Sequence, residues 1–88
     1  MENSKTSYIL IFKSYNQAIL LYNKLLEKGC SVELVSTPCR ISKGCSQSVV
    51  FVAEDTKEII EEIKDRKVTI NGIYKRTRKG NSFIYTHI

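Results

Sequence analysis

Residues 37–46, which read T-P-C-R-I-S-K-G-C-S, hold most of the side chains in this chain that could do chemistry. Two thiols, Cys39 and Cys45, lie in this short segment with two cations, Arg40 and Lys43. A neighbouring positive charge lowers the pKa of a thiol and favours the thiolate, the form that attacks sulfur, selenium or a metal. A segment this polar belongs at the surface, because a buried loop could not satisfy its backbone hydrogen-bonding groups. We therefore expect a reactive cysteine on a surface loop.

Cys45 is the candidate thiolate. It follows a glycine, which permits a tight turn whose backbone amides can point at an anion. The groups that would bind an anionic sulfur are the side chains or amides of Thr37, Arg40, Ser42, Lys43 and Gly44. The alternative is that Cys45 is a small apolar residue tucked under the loop, since free cysteines are often buried.

The other two cysteines have different expected roles. Cys39 lies six positions before Cys45, so a folded loop could bring the two thiols together, with one attacking and the other resolving a disulfide. The alternative, which the sequence supports equally well, is that Cys39 is exposed and has no role. Cys30 follows Gly29 and precedes an apolar run, and we expect it to pack in the core.

No metal site or cofactor is expected. The cysteines are nine and six positions apart and lack the close pair of a zinc knuckle or an iron–sulfur cluster. The single histidine, His87, lies one residue from the end, so no Ser/His/Asp set is apparent. The isolated glycines form no phosphate loop. No arrangement typical of a stand-alone enzyme is therefore apparent.

Hydrophobic patterning predicts the elements that position the loop. Apolar runs rich in β-formers predict strands at Tyr8–Phe12, Val32–Val35 and Ser48–Val52. Apolar residues at helical spacing predict a first helix over Tyr15–Lys28 and a second after Asp55. A fourth strand is expected at Val68–Ile70 or Gly72–Thr77, a turn at Arg78–Asn81, and an edge strand or loosely held tail at Phe83–Tyr85.

Helix-end signals agree with these boundaries. Ser14 and Gln17 have the spacing of a capping box, in which each residue satisfies a free backbone amide of the other. Asp55 and Glu58 repeat that spacing before the second helix. Gly29 is a natural end for the first helix, because glycine accepts the left-handed conformation.

The predicted order is β-α-β-β-α-β. Right-handed crossovers over an antiparallel sheet then give a two-layer α+β sandwich of the ferredoxin-like type, with a possible extra C-terminal edge strand. We expect residues 1–88 to form one domain, with a core at about 7–77 and a turn plus edge strand or tail at 78–88.

Composition is ordinary for a globular protein, with 42% hydrophobic and 26% charged residues. The first apolar run, Tyr8–Phe12, is too short for a signal peptide or a membrane span, so no membrane partner is expected. Three cysteines are an odd number without a dense framework, which disfavours a disulfide-stapled secreted domain. We therefore expect a cytoplasmic protein.

The net charge of +5 is unevenly placed. Residues 64–79 carry seven cations against Asp65 alone. Such a stretch can attract RNA or anionic proteins, but it is more often a solvated face. Nucleic acid is disfavoured as a partner, because no aromatic-rich ribonucleoprotein motif accompanies these cations in the sequence.

The chain resembles a small bacterial family described as “putative selenium/sulfur carrier protein-like”. The resemblance covers about residues 7–76 and rests on the first strand, the first helix and Gly72-Ile73-Tyr74. It rests most on the loop, where the family pattern runs T-P-R-x-I-S-x-x-C-G. This chain departs from the pattern at Cys39, where the family has arginine, and at Ser46, where it has glycine.

The resemblance implies that Cys45 accepts a persulfide or selenopersulfide and passes it on. The implied partners are unidentified donor and acceptor proteins. The alternative hypothesis is an interaction or regulatory module without chemistry, which forms a homodimer through an open sheet edge.

Overall fold

A computed structural model describes residues 6–38, 41 and 47–88 of the chain. Over these residues the elements follow the predicted order, with one additional strand. They are β1 (Thr6–Phe12), α1 (Tyr15–Glu27), β2 (Val32–Ser36), β3 (Gln47–Phe51), a 3₁₀ turn (Ala53–Asp55), α2 (Thr56–Arg66), β4 (Ile70–Lys79) and β5 (Ser82–His87). None of the helices in the described ranges is long and apolar enough to cross a membrane.

The strands form one sheet in the order β2-β3-β1-β4-β5. Every pair of neighbouring strands runs antiparallel. The α+β class predicted from the sequence is therefore confirmed, and the arrangement is compatible with a two-layer sandwich. β1 is the central strand, which explains why its apolar run is continuous rather than alternating.

The main core lies between the sheet and the two helices. Side chains of a strand alternate between its two faces, so Leu10 and Phe12 of β1 point to the same side as Val49 and Phe51 of β3. They pack with the buried helical residues Ala18, Leu21, Leu25 and Ile59. Burial of each such large apolar side chain stabilises the fold by about 1.5–3 kcal/mol.

The opposite side of the sheet, which we call the helix-free face, also has a buried centre. Ile9, Ile11, Ser48 and Val50 occupy the alternate positions of β1 and β3, and each is at most 6% exposed. No helix among the described residues packs on this side. The centre of the helix-free face is therefore covered, and it contains one polar side chain, that of Ser48.

The ends of α1 follow the sequence signals only in part. The Ser14 side chain accepts a hydrogen bond from the Gln17 amide, as predicted. The Gln17 side chain does not return this contact, because its Oε1 accepts from the Thr69 amide at 3.3 Å. Gly29 ends the helix with a φ of +84°, as predicted.

The start of α2 differs from the prediction. Asp55 makes no side-chain cap for this helix. Its Oδ2 instead accepts a hydrogen bond of 2.8 Å from the amide of Ser31, which precedes β2. The helix ends at Lys67, whose φ of 52° is a left-handed conformation that the sequence did not signal, since glycine is the usual residue there.

The C-terminal part is more regular than predicted. β4 extends through Arg78 and Lys79, which we expected in a turn. The turn is limited to Gly80 and Asn81, and Gly80 provides the positive φ of 63° that a tight hairpin needs. The tail forms the predicted edge strand, β5, rather than hanging loose.

Glu62 of α2 is a buried carboxylate that connects this helix to the residue after α1. Its Oε2 lies 2.7 Å from the Lys28 ammonium after α1, and its Oε1 accepts a 2.8 Å hydrogen bond from Arg66. Hydrogen bonds from Lys28 and then Arg66 hold the pKa of Glu62 below its ordinary value, against the opposing effect of burial. The contact with Glu62 likewise raises the pKa of Lys28.

Replacement of Glu62 by glutamine should make the free energy of unfolding less sensitive to pH in the acidic range. A lowered folded-state pKa means that the ionised carboxylate contributes stability above the unfolded pKa and that this contribution disappears as pH falls below about 4.5. We expect Glu62→Gln to lower the free energy of unfolding by about 1–2 kcal/mol near neutral pH. Urea unfolding at several pH values measures this, with the exposed Glu61→Gln as the control. A cost of Glu62→Gln that stays constant down to pH 3 would contradict the assignment.

Candidate functional site

The predicted loop connects Ser36 of β2 to Gln47 of β3, the last residues paired between these strands. Seven residues were predicted to form the site, and one of them, Thr37, belongs to the described part of the chain. The other six lie outside the described residues: Cys39, Arg40, Ser42, Lys43, Gly44 and Cys45. The structure describes the base of the loop, where it joins β2 and β3.

Thr37 fixes the start of the loop to the sheet. Its side chain is buried, and its hydroxyl shares a short hydrogen bond with the Ser48 hydroxyl, which is fully buried. Ser48 pairs with Ile11 and so points to the helix-free face. The Thr37 side chain therefore lies on the helix-free face. The predicted role of Thr37 as a hydrogen-bond donor to bound sulfur stays a prediction.

A second contact lies just after Thr37. The Ile41 amide donates a hydrogen bond of 3.1 Å to the Pro38 carbonyl. In sequence, Cys39 and Arg40 fall between these two residues.

The end of the sheet that bears the loop, which we call the loop end, also holds the start of α1. The Gln17–Thr69 hydrogen bond joins the first turn of α1 to the segment that precedes β4. The amino end of a helix carries a partial positive charge. Lys64 and Arg66 lie in the last turn of α2, whose chain direction takes it to the same end. Arg66 is paired with Glu62, however, and the carboxyl end of α2 carries a partial negative charge, so these described groups largely offset one another.

Cys30 lies at the other end of the sheet, between α1 and β2. Its side chain is 7% exposed and belongs to the core, as the sequence predicted. Burial raises the pKa of this thiol, and the carboxylates of Asp55 and Glu58 add to the shift. A protonated, enclosed thiol is a poor nucleophile, so Cys30 has the properties of a packing residue.

A groove of about 590 Å³, which we call the distal groove, lies at the end opposite the loop. Cys30, Val50 and Phe51 contribute to its apolar wall, and Ser7, Arg76, Arg78 and Phe83 contribute to the rest of its lining. Sequence reasoning missed this feature. A block of cations at residues 75–79, followed by aromatic rings at residues 83–87, was the signal, but it became informative only when β4 and β5 were seen to pair.

No metal centre is found among the described residues. Within those ranges no three histidine, cysteine or acidic side chains come together in a way that could hold an ion.

The chain belongs to the family described as “Putative Se/S carrier protein-like”, whose model matches residues 7–75. The match includes the whole of the loop and ends within β4, before β5. No curated protein and no solved structure matches the chain. Membership of the family is therefore established, while the roles of the loop residues do not follow from any characterised relative.

Loss of the Thr37 hydroxyl should leave the buried Ser48 hydroxyl without its partner. We expect Thr37→Val to cost about 1–3 kcal/mol, because an unsatisfied buried polar group keeps its desolvation penalty. The double variant Thr37→Val/Ser48→Ala should be more stable than Thr37→Val, since it removes both members of the pair. Urea unfolding of the two single variants and the double variant measures the coupling. Strictly additive effects would rule out a direct interaction.

Cys30 should be nearly inert in the folded protein. In a Cys39→Ser/Cys45→Ser variant, we expect iodoacetamide to label Cys30 slowly at neutral pH and faster only above about pH 9.0, since its pKa is raised from that value. Mass spectrometry of timed samples measures the rate, and the same variant in urea gives the rate of the accessible thiol. Equal rates in the two conditions would contradict the burial of Cys30.

Proposed function

We propose that this protein carries sulfur or selenium between proteins as a persulfide or selenopersulfide on Cys45. The observation that carries the proposal is that the family match spans residues 37–46, where a thiol stands beside two cations. The fixed base of the loop at Thr37 and Ser48 supports it, because a reactive group must be held by a rigid element to be presented to a partner.

The transfer step is a thiol exchange without net oxidation. The Cys45 thiolate attacks the outer sulfur of a donor persulfide, R–S–SH, so that a new S–S bond forms on Cys45 and the donor leaves as R–S⁻. The product is Cys45–S–SH. A thiolate of the acceptor protein then attacks that outer sulfur in the same way and regenerates the Cys45 thiolate. With selenium as the outer atom, the bonds that form and break are equivalent.

The neighbouring loop residues would tune this step. Arg40 and Lys43 would lower the pKa of the Cys45 thiol and stabilise the anionic persulfide, and Ser42 and the Gly44 amide would donate hydrogen bonds. Cys39 would act as the resolving thiol. Its thiolate would attack the inner sulfur of the Cys45 persulfide, which gives a Cys39–Cys45 disulfide and releases HS⁻.

We further infer that the scaffold is of the ferredoxin-like type. The strand order β2-β3-β1-β4 and the two helices on one side are what two interleaved β-α-β units produce, with β5 added at an edge. In such a scaffold the β2–β3 connection is free to contact other proteins. We expect the donor and the acceptor to meet the carrier at the loop end.

The interaction module remains the alternative hypothesis. Within the described residues β2 pairs only with β3, so its outer edge offers backbone groups for a second copy of the chain. This hypothesis needs no chemistry at Cys45, so the presence or absence of a cargo on that thiol distinguishes the two hypotheses.

Protein purified without reductant should carry its cargo on Cys45. We expect intact mass spectrometry to find an additional mass of about 32 Da for one sulfur or about 80 Da for one selenium, and tandem spectra to place it on Cys45. Treatment with dithiothreitol should remove it. The Cys45→Ser variant should lack the adduct, because a hydroxyl does not exchange with a persulfide.

Two matched variants control this experiment. Cys30→Ala should retain the adduct, since Cys30 is buried at the other end of the sheet. Cys39→Ser should retain the adduct as well. A Cys39–Cys45 disulfide would lower the mass by about 2 Da, two hydrogen masses, and this lighter species should be absent from Cys39→Ser. If the purified protein carries no adduct, the reduced protein is incubated with a persulfide donor and measured again. No transfer to Cys45 under those conditions would end the carrier proposal and leave the module.

A further inference from the structure

The C-terminal hairpin formed by β4 and β5 holds most of the excess charge of the protein. Residues 70–88 contain Lys75, Arg76, Arg78 and Lys79 and no aspartate or glutamate, against a net charge of +5 for the whole chain. Much of this hairpin lies beyond the residues matched by the family. Its chemistry therefore calls for an explanation separate from the loop.

The strand register places aromatic rings and guanidinium groups on one side of the hairpin. The pairs that lie directly opposite one another are Tyr74–His87, Arg76–Tyr85 and Arg78–Phe83. Tyr74 also pairs with Ile9, which is on the helix-free face. All six side chains are thus on that face, and we call them the hairpin face.

Contacts within the hairpin face hold its groups in place. The Arg76 guanidinium lies 4.2 Å from the centre of the Phe83 ring, and its Nε donates a 3.0 Å hydrogen bond to the Ser7 hydroxyl. The rings of Tyr74 and His87 meet edge to face at 4.8 Å. Neither Arg76 nor Arg78 forms an ion pair with an acidic side chain of the described residues. Each guanidinium donates a hydrogen bond through its Nε, Arg76 to Ser7 and Arg78 to the Gly80 carbonyl at 3.3 Å. We take their outer nitrogens as the groups that would meet an anionic ligand.

The distal groove continues from this face around the end of the sheet. Arg76, Arg78 and Phe83 belong to both features, and the groove adds an apolar wall that includes Val50 and Phe51. Its volume of about 590 Å³ lies within the range of small-molecule sites. The acidic side chain in its lining is that of Glu33 on β2. An anionic ligand with flat apolar parts matches this combination.

We propose that the hairpin face binds a single strand of nucleic acid without strong sequence preference. Arg76, held over the Phe83 ring, and Arg78 contact backbone phosphates, the Tyr85 ring stacks on a base, and the distal groove accepts a base at one end. The sequence disfavoured nucleic acid because no aromatic motif lies beside the cations along the chain. In the structure, cations of β4 and aromatic rings of β5 lie side by side across the two strands, an arrangement that the linear sequence does not show.

Fluorescence anisotropy with labelled oligonucleotides of about 12 nucleotides tests the proposal, a length within the range that single folded modules cover. The probes are an oligouridylate, an oligothymidylate and a duplex of equal length. We expect a single strand to bind more tightly than the duplex, because paired bases cannot stack on the protein. Affinity should fall as salt rises, since phosphate contacts release counterions. The RNA and DNA arms show which sugar is preferred, and binding of either single strand supports the proposal.

Two substitutions separate stacking from charge. Tyr85→Leu removes one ring and keeps an apolar side chain on β5, and we expect a loss of affinity of about fivefold or more. Arg78→Gln removes one cation, and the slope of log affinity against log salt should flatten by about 0.7. The matched controls are Tyr15→Leu, which removes an exposed ring from α1, and Lys57→Gln, which removes an exposed cation from α2. Circular dichroism checks that every variant is folded.

This proposal and the carrier function can be tested independently, because none of these measurements involves Cys45. Equal affinity for duplex and single strand would mean that net charge alone attracts nucleic acid and would overturn the proposal. So would control variants that weaken binding as much as Tyr85→Leu and Arg78→Gln, or the absence of binding at low salt.

Discussion

Burial of β1 on both of its faces is the constraint on which the rest of the structure depends. Four consecutive residues, Ile9–Phe12, are at most 2% exposed, and they alternate between the helix-packed core and the helix-free face. A strand with this pattern is stable only between two partners and under cover on both sides. β3 and β4 supply the partners. The loop then starts and ends beside β3, and the hairpin face begins at β4, so both candidate sites are positioned relative to β1.

Local signals were sufficient to predict most of the fold. A continuous apolar run, helical spacing and the residues Ser14 and Gly29 depend on near neighbours in the chain, and they placed the first strand and helix closely. The failures have a common cause. Asp55 and Gln17 were interpreted as local caps, but their side chains bond to Ser31 and Thr69, which are distant in sequence. A short polar side chain has several partners within reach, and only the tertiary structure selects one.

The candidate sites differ in how much the sequence could reveal. The loop was recognisable because its thiols and cations are adjacent in the chain. Its attachment through Thr37 and Ser48 was not, because the two residues are 11 positions apart and meet only after β2 and β3 pair. The hairpin face was hidden for the same reason. Arg76 and Tyr85 acquire a common surface through strand register, and shifting that register by one residue would move each set of side chains to the other face.

The base of the loop and the hairpin face lie on one face of the sheet but far apart. Ser48 pairs with Ile11, and Ile11 pairs with Gly72 on β4, so the base of the loop and Gly72 share one row of the sheet. Arg78 lies six residues further along β4, which corresponds to about 20 Å of strand. Charges are screened over about 8–10 Å at physiological ionic strength. The charge of Arg78 is therefore largely screened at the base of the loop, where Ser48 lies, so the hairpin face and the base of the loop are electrostatically separate regions of one sheet.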